Sequence, residues 1–131
     1  MQFSATFLPL LAMALPTSAI VSTLSAPSTI SPGTSFPLTV HTADYIQTVY
    51  DVSVAFGIAT GKGAAGSLGN VFASAYLGPQ LSNIITPIQF TVSVDASTPK
   101  GEATLVAAVT SLWGVGADPS ISYFNTTVTV V

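Results

Sequence analysis

From Tyr50 to Ile58 the chain alternates with a period of two: Tyr50, Val52, Val54, Phe56 and Ile58 are apolar, while Asp51, Ser53, Ala55 and Gly57 are small or polar. That pattern predicts a β-strand with one face buried, because successive side chains leave a strand on opposite sides. A face carrying groups this large must be covered by a second apolar sheet, so the segment Asp44 to Ile58 by itself points to a sandwich or a barrel.

The rest of the chain repeats the theme. Ile20 to Leu24 reads as a first strand, and Ala26 to Gly33 as a turn region with Pro32-Gly33 at the centre of a type II turn, where proline presets φ and glycine accepts a positive one. Phe36, Leu38 and Val40 alternate with Pro37, Thr39 and His41. Thr60 to Gly69 is rich in Gly and Ala and is expected to be a mobile loop. Val71 to Leu77 reads as an edge strand closed by Gly78-Pro79. Ile88, Phe90, Val92 and Val94 form the next apolar row, and Asp95 to Gly101 a turn. Ala103 to Leu112 is apolar on both faces, as expected of a central strand covered on both sides or lying beside a protein contact. Trp113 to Pro119 is the following connection. A last strand points Phe124, Thr126, Val128 and Val130 inward and Tyr123, Asn125, Thr127 and Thr129 outward.

About seven short strands, regular turn signals and no amphipathic helix pattern define an all-β chain, an immunoglobulin-like antiparallel β-sandwich, with a partly open barrel as the alternative. Asp44 to Ile58 and Ala103 to Leu112 are its expected central strands. The chain has no cysteine, so the Cys, Trp, Cys spacing of antibody domains is absent.

Charge narrows the function classes. Charged residues make up 5% of the chain and the net charge is −3, against roughly 25% charged residues in ordinary domains. Without clustered Lys and Arg there is no footprint for nucleic acid. The uncharged run Val71 to Val94 is interrupted by Gly78, Pro79, Gln80, Ser82, Asn83 and Pro87. It is therefore no membrane-spanning helix, and no membrane insertion is expected. At the N-terminus, the apolar run Phe7 to Leu15, the breaker Pro16 and the small residues Thr17, Ser18 and Ala19 predict a signal peptide over residues 1–19, cleaved after Ala19. Residues 20–131 are then the β-sandwich domain, secreted and extracellular, with a core large enough to fold without disulfides.

Several motifs carry a possible chemistry. Gly61-Lys62-Gly63-Ala64-Ala65-Gly66 has the letters of a dinucleotide fingerprint, but Ser67 to Asn70 leads into a strand rather than the helix that would hold a pyrophosphate, so a loop is the reading and no cofactor is expected. His41 is the single histidine, on the expected outer face; with Asp44 nearby but no nucleophile elbow, it reads as structural. Asp44, Asp51, Asp95, Glu102 and Asp118 show no metal-ligand spacing. No catalytic or metal residue is assigned, and the chain is not expected to be an enzyme. Asn125-Thr126-Thr127 is an N-glycosylation sequon on an outward strand position. Trp113 is either a core cap or a binding anchor.

Tyr45 to Gly57 and Ser67 to Pro79, with the words Tyr45-Ile46-Gln47 and Ala75-Tyr76-Leu77-Gly78-Pro79, together with Ala26 to Gly33 and Asn125 to Val130, resemble the fungal necrosis-inducing secreted protein family, a group of core effectors. The resemblance implies a monomeric fungal protein that reaches host plant tissue. There it would bind plant immune receptor kinases and their associated cytoplasmic kinases, inhibit them and suppress pattern-triggered immunity, with host cell death as a further effect. No family motif assigns that contact. Tyr45, Gln47, Tyr76 and Trp113 are the candidate protein-binding residues, Tyr45 and Gln47 because they precede the clean alternation and the core does not dictate them. The competing expectation is a fungal wall-associated or carbohydrate-binding module using Tyr76, Tyr123 and Trp113 to stack on sugar rings.

Overall fold

A computed structural model describes residues 18–131. The expected leader, save for its last two residues, lies outside them. The described chain runs β1 (Ala19–Ser25), β2 (Thr29–Ile30), β3 (Phe36–Asp44), β4 (Val49–Thr60), β5 (Asn70–Tyr76), α1 (Gly78–Leu81), β6 (Ile88–Val92), β7 (Gly101–Trp113) and β8 (Asp118–Val130). Two sheets face one another, one ordered β1-β3-β6 and the other β2-β8-β7-β4-β5. All pairings are antiparallel except the short parallel bridge of β2 with β8. This is the expected sandwich, with β4 and β7 central and β5 at an edge.

The alternating rows explain why the sheets close. Leu38 and Val40 from β3, Ile88 from β6, Val54, Phe56 and Ile58 from β4, Leu105, Ala107 and Val109 from β7, and Val128 and Val130 from β8 form one buried cluster. Phe56 sits at its centre, 5.4 Å from Phe90 and 6.4 Å from Phe72 between ring centres. Truncating such a buried ring typically costs about 3–5 kcal/mol. The Pro32-Gly33 turn forms as expected: Gly33 has φ +77° and Thr34 N–H donates to Ser31 O at 3.1 Å.

Four local expectations are corrected. The long third strand splits: Asp44 ends β3, residues 45–48 form a loop, and β4 begins at Val49. Within β4 the register against β7 shifts between Asp51 and Ser53, so the alternation holds inward only from Val54 onward. This β-bulge inserts Val52 as an extra residue and reverses the faces below it. Val49 and Asp51 are buried and Tyr50 is turned outward, opposite Leu112. The region Ala26 to Gly33 is not wholly turn, since Thr29 and Ile30 add a bridge to β8. Finally, Gly78-Pro79 opens a single helical turn, which no periodicity announces because it is only four residues long.

The Gly- and Ala-rich loop folds back over the five-stranded sheet. A Cβ placed on Gly57 would lie 2.0 Å from Leu68 O, so the loop backbone crosses β4 where no side chain intervenes. Thr104 Oγ1 donates to Gly61 O at 2.6 Å, and this tie helps explain why Thr104 and Val106, on the outer face of β7, are buried. The two-faced apolarity of β7 is thus met by the chain's own loop. His41 is half-buried rather than exposed, with Nε2 2.8 Å from Ser25 Oγ.

Candidate protein-docking site

One end of the sandwich gathers three of the four candidate binding residues. The loop 45–48 and the turn 114–117 lie side by side there because Val49 pairs with Trp113 and Trp113 with Asp118. The Tyr45 ring meets Trp113 edge to face at 5.8 Å and 88°. Trp113 is the last residue of β7 rather than part of the connection, and its Nε1–H donates to Ser120 Oγ at 2.5 Å. It is half-buried, so it acts as a cap whose edge supports the tip. Gln47 is exposed and lines an open cleft of about 670 Å³ with Thr48, Tyr50, Leu112 and Val115.

Tyr76, the fourth candidate, reaches this end along the outer sheet face. Its ring lies so close to Gly78 that a Cβ there would stand 2.4 Å from Tyr76 Cε2, while its hydroxyl is 3.4 Å from that of Tyr50. That hydrogen bond, ahead of desolvation, raises the Tyr50 phenol above its ordinary pKa.

A buried polar clamp braces the tip from beneath. Asp51 N–H donates to Ser82 Oγ at 2.9 Å, and the Ser82 proton is shared between Gly78 O at 2.8 Å and Asp51 O at 2.9 Å. Val49 N–H donates to Asn83 Oδ1 at 3.2 Å. Across the sheet, Ser111 Oγ donates to Asp51 Oδ1 at 2.6 Å. Burial pushes the Asp51 carboxyl above the usual carboxylate range, and the Ser111 bond pulls it partly back. The segment after β5 therefore fixes the start of β4, from which the tip loop springs.

The most exposed groups of the tip were not among the sequence candidates. Ile46 is 93% exposed and Val115 fully so. Neither is needed by the core, and the tip from Tyr45 to Thr48 and from Gly114 to Ala117 carries no charge between the flanking acids Asp44 and Asp118. Tyr50 was read as a core residue; the adjacent apolar pair Val49-Tyr50 is the signal that a strict alternation had already failed. An uncharged aromatic and aliphatic cluster, rimmed by acids and held on sheet ends, can bury area against another protein. Among the described residues no group of three or more His, Asp or Glu is placed to hold a metal.

Fold and site define an immunoglobulin-like sandwich with a preformed apolar tip. The fold is shared with the CARDB domain of a Pyrococcus furiosus protein (TM-score 0.52, 14% identity, 88% of this chain and 89% of that one). It is shared too with superoxide reductase (neelaredoxin) from Ignicoccus hospitalis (TM-score 0.52, 10% identity, 85% and 82%). At such identities the likeness concerns architecture alone. Sequence is more specific: the family model described as the Nis1 family matches residues 17–129. The chain is 39% identical over 108 residues to necrosis-inducing secreted protein 1 of Colletotrichum higginsianum, covering 82% of this chain and 75% of the relative. It is 36% identical over 114 residues to the protein of that name from Colletotrichum orbiculare, covering 86% and 70%. The chain belongs to the Nis1 family, whose relatives here are named as secreted proteins, and it is a secreted protein of that family.

Proposed function

We propose that this chain is a secreted effector that provokes cell death in its host, and that it does so by docking on proteins rather than by catalysis. Its targets are plant immune receptor kinases and the cytoplasmic kinases associated with them; binding as a monomer lowers their activity and suppresses pattern-triggered immunity. The necrosis-inducing names of the relatives support the effector reading. The observation that carries docking is the tip: Ile46 and Val115 stand free of the core on a loop pair braced by the Ser82 and Asn83 clamp. Preorganised apolar groups lose little entropy on binding, which favours affinity from a small contact.

A second reading has its own observation. On the outer sheet face the small residues Ala55, Ala108, Ser53 and Thr110 of the central strands lie between Tyr76 on β5 and Tyr123 on β8. An uncharged trough flanked by tyrosines suits stacking on neutral sugar rings. Pull-down with purified receptor-kinase cytoplasmic domains, beside retention on chitin and β-glucan, separates the two. Kinase capture without glycan retention supports docking, and glycan retention without kinase capture overturns it.

A further inference from the structure

We propose that Asn125 carries an N-linked glycan whose first sugars lie in the cleft between β8 and the 61–69 loop, over the outer face of β7. Of the three asparagines, Asn70, Asn83 and Asn125, only the last stands in an Asn-X-Thr sequon. Asn125 is exposed and lies opposite Val106 on β7. Its side chain lines a cleft of about 450 Å³ whose far wall is Ala64, Ala65 and Gly66, and whose floor includes Val106 and Tyr123. The small residues leave room, Tyr123 offers a ring to a sugar face, and Lys62 at the rim offers a donor to its hydroxyls.

The cleft gives the modification a physical task. Residues 62–67 of the loop are exposed, and the floor beneath them, Thr104 and Val106, is the outer face of β7. A glycan seated between the loop and β8 holds the loop against the sheet.

The chemistry is that of oligosaccharide transfer in the secretory pathway, so the inference rests on export but not on kinase binding. The donor is a lipid-linked oligosaccharide pyrophosphate. Asn125 Nδ2 forms the bond to sugar C1, the C1–O bond to the pyrophosphate breaks, the lipid pyrophosphate leaves with the electron pair, and the Nδ2 proton passes to the transferase base. Transfer precedes folding, so the strand conformation of β8 is no obstacle.

The test is expression of the full chain in a eukaryotic secretory host and mass measurement of the protein recovered from the medium, before and after peptide N-glycosidase. Recovery from the medium reads export separately. The expected result is a glycan-sized mass that the enzyme removes, leaving Asp at position 125, and that is absent from Asn125→Gln and Thr127→Ala. Chain in the medium with its bare mass overturns the proposal. For placement, hydrogen exchange of the glycosylated and enzyme-treated protein is compared: amides in 62–67 and 121–127 should exchange at least about threefold more slowly with the glycan present. Equal exchange would refute the placement of the sugars in the cleft.

Discussion

Tyr45 and Trp113 meet edge to face, their ring centres 5.8 Å apart and their planes at 88°. The contact ties the 45–48 loop to the end of β7, so Tyr45 serves both the fold and the tip. Edge-to-face pairs contribute about 0.5–1.5 kcal/mol beyond their buried area. Tyr45→Ala is therefore expected to lower unfolding free energy by about that much or more, while Tyr45→Phe, which keeps the ring, stays near the native value. Gln47→Ala, at an exposed position, should change stability by less than about 0.5 kcal/mol. Urea unfolding of the three variants checks the ranking.

Ser82 holds β4 through the Asp51 amide. Ser82→Ala leaves that buried N–H without its partner, a loss of about 1–3 kcal/mol. Because Val49 and Asp51 are the root of the tip loop, exchange at amides 45–49 should accelerate more than exchange at the core amides of β3. Unchanged exchange at the loop would show that the clamp does not brace it.

The Asp51 carboxyl gives a pH signature of defined sign. Burial raises its pKa in the folded chain, so its contribution favours the native state below the ordinary carboxylate range and is lost as pH rises through the folded pKa. Asp95 acts oppositely: the Ser97 hydroxyl and amide hydrogen bonds lower its pKa, so its contribution is present above the ordinary range and lost as pH falls through the folded value. Asp51→Asn should remove the first effect, and its stability relative to the native chain should rise between about pH 4 and pH 7. Urea midpoints across that range, for both proteins, measure it.

Gly57 lies beneath the Leu68 backbone, and a methyl group there cannot coexist with the present loop path. Gly57→Ala is expected to cost about 1–3 kcal/mol through forced displacement, with faster exchange across residues 61–69 as the loop lifts. A variant that keeps native loop protection would contradict the packing described for it.

Much of the fold was legible because its core rows are regular. Val54 to Ile58 and Phe124 to Val130 turn their large apolar groups inward as their alternation predicts, and Ala103 to Val109, apolar on both faces, is the central strand expected. The Asp44 to Ile58 reading failed at Val52, where a bulge adds a residue without changing composition, and this misplaced Tyr50. The packing of the Gly-rich loop on β4 was not legible, because its attachment depends on a missing side chain at Gly57, which sequence records only as another glycine. At the tip, Tyr45 and Gln47 could be singled out as residues the core does not demand. Val115 could not, since a valine among glycines reads as turn filler until the turn is set beside residue 46.

The central claim is that the tip docks on kinase domains, and it is tested most directly by the double variant Ile46→Ser with Val115→Ser. Both side chains are exposed, so unfolding should match the native chain within about 0.5 kcal/mol. Affinity for a receptor-kinase cytoplasmic domain, measured by calorimetry, should fall at least about tenfold, or 1.4 kcal/mol. Native affinity in the folded double variant would contradict the account.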